Sequence, residues 1–329
     1  IFIAKFDPTL STLMVCTYFG NTGGEMAFGM AFGSENSIYI TGRTTSDGMA
    51  TSGSAQGERA GTEAFVARFN YALTELKSCT YFGGSGSDEG ATVATASDGS
   101  VYVVGMTASS GLAISGAYQE SIGGGNDAFI AKYDPTLSTL LACTYLGGSG
   151  YDQARSILIG GDDEDIYVSG RADSSGLAST GAYQTTLGGD NDAFLARFDA
   201  SLSDLLACTY LGSGGDDSGY DIVTDGGLIY LVANVDSADL PTTADAFSSV
   251  SSGSSDTYLA CFDLDLSSLI YGSYFGGTGS DNGRTLVIAP GGNLIMAGTA
   301  TSEDLPTKDA VDDSYNGGSN DIFLTVWRL

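Results

Sequence analysis

Hydrophobic and polar positions alternate along this chain in short runs of about six residues, and the runs recur in a fixed order. One word reads IFIAKFD at 1–7, AFVARFN at 64–70, AFIAKYD at 128–134, AFLARFD at 193–199, TYLACFD at 257–263 and IFLTVWR at 322–328. Its aromatic anchors Phe2, Phe65, Phe129, Phe194, Tyr258 and Phe323 stand 63, 64, 65, 64 and 65 residues apart. A second word follows each of the first five: CTYFG at 16–20, CTYFGG at 79–84, CTYLGG at 143–148, CTYLG at 208–212 and GSYFGG at 272–277. A third is rich in small residues, as in MAFGMAFG and ATVATAS, and a fourth reads SIYITGR, SVYVVGMT, DIYVSGR, LIYLVAN and NLIMAGT. Period-2 alternation, β-branched and aromatic content, and turn residues such as Asp98-Gly99 between the words predict short antiparallel strands.

Four strands per repeat of about 64 residues predict an all-β fold, a five-bladed β-propeller of four-stranded antiparallel blades in a single domain, 1–329. Crowding near an axis favours small side chains, so the MAFGMAFG and ATVATAS words are assigned innermost. Blade two then comprises Gly90–Ser97, Val101–Thr107, Ala128–Asp134 and Leu140–Gly147. Blade five has strands at 284–289, 293–298 and 321–328 and lacks an outer one. Leu13–Phe19 is expected to supply it beside Phe323–Leu329, closing the ring and leaving no open edge. Residues 1–7 become a surplus N-terminal strand.

Composition narrows the function classes. With 48 Gly and 5 Pro and no G-X-Y period, the chain is neither helical nor collagen-like. Acids outnumber bases 40 to 12, a net charge of −28, which repels phosphate backbones and argues against nucleic acid as a partner. No apolar run of 18 residues predicts a membrane span. The absence of His removes imidazole acid–base chemistry and imidazole metal ligation. The start at Ile reads as a mature or excised segment.

The recurring words resemble the bacterial and archaeal repeat family known as SBBP, the beta-propeller repeat. The resemblance rests on Asp127-Ala128-Phe129-Ile130-Ala131-Lys132, on Thr144-Tyr145-Leu146-Gly147-Gly148-Ser149-Gly150-Tyr151-Asp152 and on Asp239-Leu240-Pro241-Thr242-Thr243, and it covers essentially the whole chain. It implies a propeller in a secreted or surface protein and implies no activity.

Two sets of acids keep the phase of the repeat: Glu25, Asp88, Asp152, Asp217 and Asp281, and Glu63, Asp127, Asp192, Asp256 and Asp321. Up-down-up-down strands place both sets on one face, with the long loops 108–126, 172–191 and 235–256. On one reading each carboxylate accepts backbone N–H bonds and pins a crossing turn. On the other the face holds Ca2+, which takes six or more oxygens. No other cofactor is expected. Five cysteines, Cys16, Cys79, Cys143, Cys208 and Cys261, sit on different repeats without C-x-x-C spacing and read as buried free thiols. Ala117-Tyr118-Gln119, Ala182-Tyr183-Gln184 and Ala246-Phe247 read as plugs between blades or as sugar-stacking aromatics.

Near-equivalent repeats supply no distinct acid, base and nucleophile, so a non-enzymatic extracellular or cell-surface scaffold is expected. It would self-associate head to tail into a homopolymer through Ile1, Phe2, Ile3 and Phe6 of the surplus strand. The alternatives are a multivalent glycan-binding propeller and a carboxylate-based glycosidase.

Overall fold

The computed structural model describes residues 1–161 and 163–328, so the Leu329 of the expected closing strand lies outside the described residues. Twenty-one strands and one 3-10 turn account for its regular structure. The strands form six antiparallel sheets: one of two strands, four of four and one of three. The chain divides into two compact units, residues 1–159 with 201–204, and 160–200 with 205–329.

The first unit opens with β1 (Phe2–Phe6) and β2 (Leu13–Tyr18), which pair with each other. Next come β3 (Glu25–Gly33), β4 (Ser37–Thr44), β5 (Glu63–Asn70) and β6 (Leu76–Phe82), in that spatial order. β7 (Asp88–Thr95), β8 (Val101–Thr107), β9 (Asp127–Tyr133) and β10 (Leu140–Leu146) repeat the arrangement, and β11 (Asp152–Gly160) follows. The second unit carries β12 (Asp165–Ala172), β13 (Asp192–Phe198) and β14 (Leu205–Leu211). It continues with β15 (Asp217–Thr224), β16 (Leu228–Val235), β17 (Asp256–Asp263) and β18 (Leu269–Phe275), then β19 (Asp281–Ile288), β20 (Asn293–Ala300) and β21 (Asp321–Arg328).

The third and fourth strands of each four-stranded sheet, like β1 and β2, are joined by one recurring turn, which explains why they always pair. Its first residue, Asp7, Asn70, Asp134 or Asp263, accepts the backbone N–H groups four to five residues on, as Asp7 Oδ1 does from Ser11 (2.9 Å) and Thr12 (3.0 Å). A leucine at positive φ (Leu10, Leu73, Leu137, Leu202, Leu266; 55° to 61°) reverses the chain. A bulge recurs in the first strand, between Ala27 and Gly29, Gly90 and Thr92, Gly219 and Asp221, and Gly283 and Thr285. Opposite one bulge, a Cβ on Gly105 would lie 1.8 Å from the Glu89 carbonyl, so only glycine fits there.

The core is the alternate face of these strands. Phe65, Phe129, Phe194 and Tyr258 of the third strands are wholly buried, as are Tyr81, Tyr145, Tyr210 and Tyr274 of the fourth. Small residues do let first strands approach: a Cβ on Gly29 would meet the Thr92 Cα at 2.7 Å.

Two expectations need correction. Among the described residues the sheets number six, not five, and Leu13–Tyr18 does not complete the last sheet: β2 pairs with β1, and the last sheet ends at β21. A six-residue connection makes the β1–β2 hairpin, whereas pairing β2 with β21 would close a loop of about 300 residues, at a greater entropic cost. Residues 1–7 are therefore not surplus. Ile3 is buried with Ile38, Ile40, Phe65, Phe69 and Tyr81, and Phe19 packs tilted against Phe65 and edge-on against Phe69, ring centroids 5.7 and 5.2 Å apart.

Ile3→Ala is expected to lower unfolding free energy by about 2–4 kcal/mol through the cavity it leaves. Denaturant titration measures this, and an unchanged midpoint would show β1 to be undocked.

Candidate functional site

Both phased sets of acids lie at one end of their sheets. Register places Glu25 opposite Thr44 and Thr44 opposite Glu63; Asp88, Thr107 and Asp127 align likewise, as do Asp217, Val235 and Asp256, and Asp281, Ala300 and Asp321. Asp192 lies opposite Ala172, and Asp152 opens β11. All except Glu25 and Asp321 are buried.

The first-strand acids hold the crossing loop to the start of the next long loop. Asp88 accepts the Gly84 N–H and the Ser109 hydroxyl, each at 2.9 Å, and the Thr107 hydroxyl on its other oxygen. Asp217 accepts from Ser213 N and from Ser237 N and Oγ. Asp281 accepts from Gly277, Thr301 and Ser302 N–H groups, Asp152 from Gly148 N, and Glu25 from the Thr44 and Ser46 hydroxyls.

The third-strand acids gather a glutamine and a glycine turn. Asp127 accepts from Gln119 Nε2 (3.1 Å), Gly123 N (2.8 Å) and Gly124 N (3.2 Å), and Asp192 repeats this with Gln184, Gly188 and Gly189. Glu63 accepts from Gln56 and Ala60 N, and Asp321 from Asn316 N. Asp256 takes Ser251, Ser252 and Gly253 on one oxygen, while its Oδ1 has no partner among the described residues. Third-strand and next first-strand acids approach across a glycine: Gly83, at φ +153°, has no room for a Cβ because Asp88 and Glu63 fill that space.

Burial pushes the carboxyls of Glu63, Asp127, Asp192 and Asp217 above the usual carboxylate range. Backbone N–H groups oppose the shift, and the facing carboxylates Asp88, Asp152 and Asp217 add to it at Glu63, Asp127 and Asp192. A glycosidase acid must reach its substrate's leaving oxygen. These oxygens are instead sealed off and filled by backbone donors, so the arrangement orders loops. Among the described residues, no three His, Cys, Asp or Glu side chains are grouped to hold one metal ion.

The long loops are arms that lie along the free edge of the fourth strand. Thr51 N donates to Cys79 O (2.9 Å) and Tyr81 N to Gln56 O (3.2 Å); Ile114 with Cys143, Ser179 with Cys208 and Thr243 with Gly272 repeat the first bond. The buried tyrosine hydroxyl then fixes each arm. Tyr145 accepts the Leu112 N–H (2.9 Å) and donates to Ser109 O (2.8 Å), and Tyr81, Tyr210 and Tyr274 do the same. The arm tips reach the next hairpin turn: Ala55, Tyr118 and Tyr183 N–H groups donate to Leu137, Leu202 and Leu266 carbonyls. Phe247 packs on Trp327 at 5.6 Å. The Ala-Tyr-Gln set thus acts as inter-repeat plugs.

Basic residues of the third strands lie over second-strand tyrosines: Arg68 over Tyr39, Lys132 over Tyr102 and Arg197 over Tyr167. All five thiols are free. Cys79, Cys143, Cys208 and Cys261 are buried, which pushes their pKa up to about 12, while Cys16 is exposed, against expectation.

The small-residue reading missed one surface. On β3, Met26, Phe28, Met30 and Phe32 are all exposed. Phe32 lies 6.2 Å from Tyr71, whose ring carries the Lys5 ammonium at 3.4 Å. At the other end Arg43 contacts Met26 Sδ and pairs with Glu89 at 3.3 Å. The signal was present in sequence: where β3 has Met26 and Phe32, the later repeats have Glu89, Gln153, Ser218 and Asn282, and Thr95, Ile159, Thr224 and Ile288.

No family model matches this chain, and no curated protein does. Among solved structures, a polysaccharide lyase described as an ulvan lyase of a new family aligns over 93% of this chain and 71% of its own, with TM-score 0.51 and 9% identity. A thermostable family-43 glycoside hydrolase aligns over 88% of each chain (TM-score 0.43, 13% identity). An exo-1,5-alpha-L-arabinanase from a bovine ruminal metagenomic library aligns over 94% and 95% (TM-score 0.40, 9% identity). The likeness is one of fold, a β-propeller-like all-β architecture.

These findings overturn the expectation of a non-enzymatic filament subunit assembled through Ile1–Asp7. Phe2–Phe6 is already paired with β2, and Ile3 is buried. Among the described residues no helix is long and apolar enough to cross a membrane.

Tyr145→Phe is expected to cost about 1–3 kcal/mol, because the buried Leu112 N–H and Ser109 carbonyl lose their partner; calorimetry reads this. The raised carboxyls also set a pH dependence. Their folded-state pKa lies above the unfolded one, so their contribution to stability is complete below about pH 4 and is lost as pH rises through the higher folded values. The exposed Asp7 and Asp304, held low by hydrogen bonds, work oppositely and lose their contribution only below that range. The melting temperature should therefore be higher at about pH 5 than at about pH 8 at equal ionic strength; a lower value at about pH 5 would contradict the assignment.

Proposed function

We propose that this protein is an extracellular carbohydrate-binding β-propeller that holds a neutral or aminated glycan on the exposed ribbon of β3. The observation that carries the reading is the line of Met26, Phe28, Met30 and Phe32, ending at Tyr71. Exposed aromatic faces match the apolar C–H face of a sugar ring, and a few placed polar groups fix its orientation. Arg43 with Glu89 at one end and Lys5 at the other are such groups. Shared fold with a polysaccharide lyase supports a glycan over other ligands. The net charge of −28 disfavours an anionic one. Binding is favoured over cleavage because the phased carboxylates are buried and bonded to backbone.

A glycan array followed by titration calorimetry tests this. Phe32→Ala and Tyr71→Ala should each weaken binding about tenfold, equivalent to about 1.4 kcal/mol. Both side chains are exposed, so unfolding should shift by no more than about 0.5 kcal/mol. Absence of binding, or unchanged affinity in the double variant, would sink the proposal. Release of sugar products would replace binding with catalysis.

A further inference from the structure

One junction of the second unit has a buried carboxylate oxygen that differs from its sisters. Where a third-strand acid approaches the next first-strand acid, both oxygens of the third-strand acid hold N–H donors at three places. Glu63 Oε1 accepts from Ala60 N (2.6 Å) and its Oε2 from Gln56 Nε2 (2.7 Å). Asp127 Oδ1 accepts from Gly124 N and its Oδ2 from Gln119 and Gly123. Asp192 Oδ1 accepts from Gly189 N and its Oδ2 from Gln184 and Gly188.

At Asp256 the pattern changes. The arm carries Ser248 where its sisters carry Gln56, Gln119 and Gln184, and Ser251 Oγ takes the place of the glutamine amide on Asp256 Oδ2 (2.8 Å). Ser252 N (2.7 Å) and Gly253 N (3.3 Å) turn to that same oxygen. Oδ1 is left with no hydrogen-bond partner among the described residues, although Asp256 is only 1% exposed.

This oxygen is aimed among other oxygens. A Cβ on Gly253 would run into Gly279 O and lie 2.9 Å from Gly277 O and 3.0 Å from Asp256 Oδ1. A Cβ on Gly276 would meet the same Oδ1 and lie 3.2 Å from Asp281 Oδ2. Two carboxylates and two backbone carbonyls therefore crowd one place, bordered by two half-buried glycines that add no side chain. Asp304, bonded to Thr278 N (2.8 Å), adds negative charge beside it. Among the described residues no Lys or Arg forms an ion pair with Asp256, Asp281 or Asp304. A buried anionic oxygen without a donor is unfavourable, and a hard cation held by carboxylate and carbonyl oxygens relieves it.

We propose that this junction binds one Ca2+ ion through Asp256 Oδ1, Asp281 and the Gly277 and Gly279 carbonyls, with water completing the shell. Four protein oxygens make a weak site, with a dissociation constant of about 0.1–1 mM, the range of extracellular modules. The sister junctions do not share it, because N–H groups already occupy both oxygens of their third-strand acids. The inference is independent of the glycan ribbon, which uses β3 and Tyr71.

The full chain, stripped of metal with a chelator, is titrated with Ca2+ and, separately, with Mg2+ at equal ionic strength; the Mg2+ arm reports general screening of the negative charge. Ca2+ at about 10 mM should raise the melting temperature by about 2–4 °C more than Mg2+ does. In 15N-labelled protein the Gly253 and Gly276 amide signals should shift and saturate together, while those of Gly124, Gly147, Gly189 and Gly212 stay in place. Asp256→Asn keeps an oxygen for Ser251, Ser252 and Gly253 but removes the charge at Oδ1, so it should weaken Ca2+ binding about tenfold. A melting curve verifies that this variant folds; if it does not, the amide shifts of the unaltered chain decide. Lack of saturation, an equal effect of Mg2+, shifts at the sister glycines, or unchanged affinity in the folded variant would overturn the proposal.

Discussion

The acid that opens each first strand, buried in every one after β3, is the constraint on which the repeat depends. An acid side chain withdrawn from water is tolerable only when hydrogen-bond partners surround it. Here the donors come from two segments distant in sequence: the glycine-rich crossing loop just before the acid and the Thr/Ser step about 20 residues after it. Meeting the carboxylate's demand therefore ties the entry of one sheet to the exit of its second strand. That exit begins the arm. The arm runs back over the fourth strand, where a tyrosine hydroxyl catches it, and its tip reaches the next hairpin turn. One buried acid, one phenol and one leucine carbonyl thus couple neighbouring repeats.

Much of this was legible because the repeat averages over noise. The strand words, their order and the shared end for both acid sets follow from period-2 alternation and fixed spacing. The boundaries differ by one to three residues where the acid itself starts the strand, as Asp88 and Asp127 do. The carboxylates' partners were half visible: Asp in a glycine-rich turn suggests backbone acceptance, but the Thr107 and Ser109 hydroxyls are fixed only by tertiary approach.

What was not legible is instructive. Which strand β2 joins cannot be decided by pattern, since β1 and β21 carry the same word; the short connection decides it. The MAFGMAFG word was judged by its Ala and Gly, of which Gly29 does face Thr92 of β7. Met26, Phe28, Met30 and Phe32 are exposed; the bulge between Ala27 and Gly29 leaves Ala27 exposed with them, and beyond it the alternation separates the half-buried Gly29, Ala31 and Gly33 from the exposed Met30 and Phe32. A count of small residues discards that separation.

Repetition also explains why the distinctive surfaces gather in the first unit. Where every arm and every first-strand face meets an equivalent neighbour, the chemistry is used up by packing: Val93 on β7 is buried, whereas Met30 at the matching place on β3 is exposed. Tyr18 and Tyr81 differ in the same way. Identical words therefore acquire different roles from what lies against them, and not from their own residues. A functional asymmetry in such a chain is consequently to be sought at positions whose sisters are covered, and the β3 ribbon is such a position.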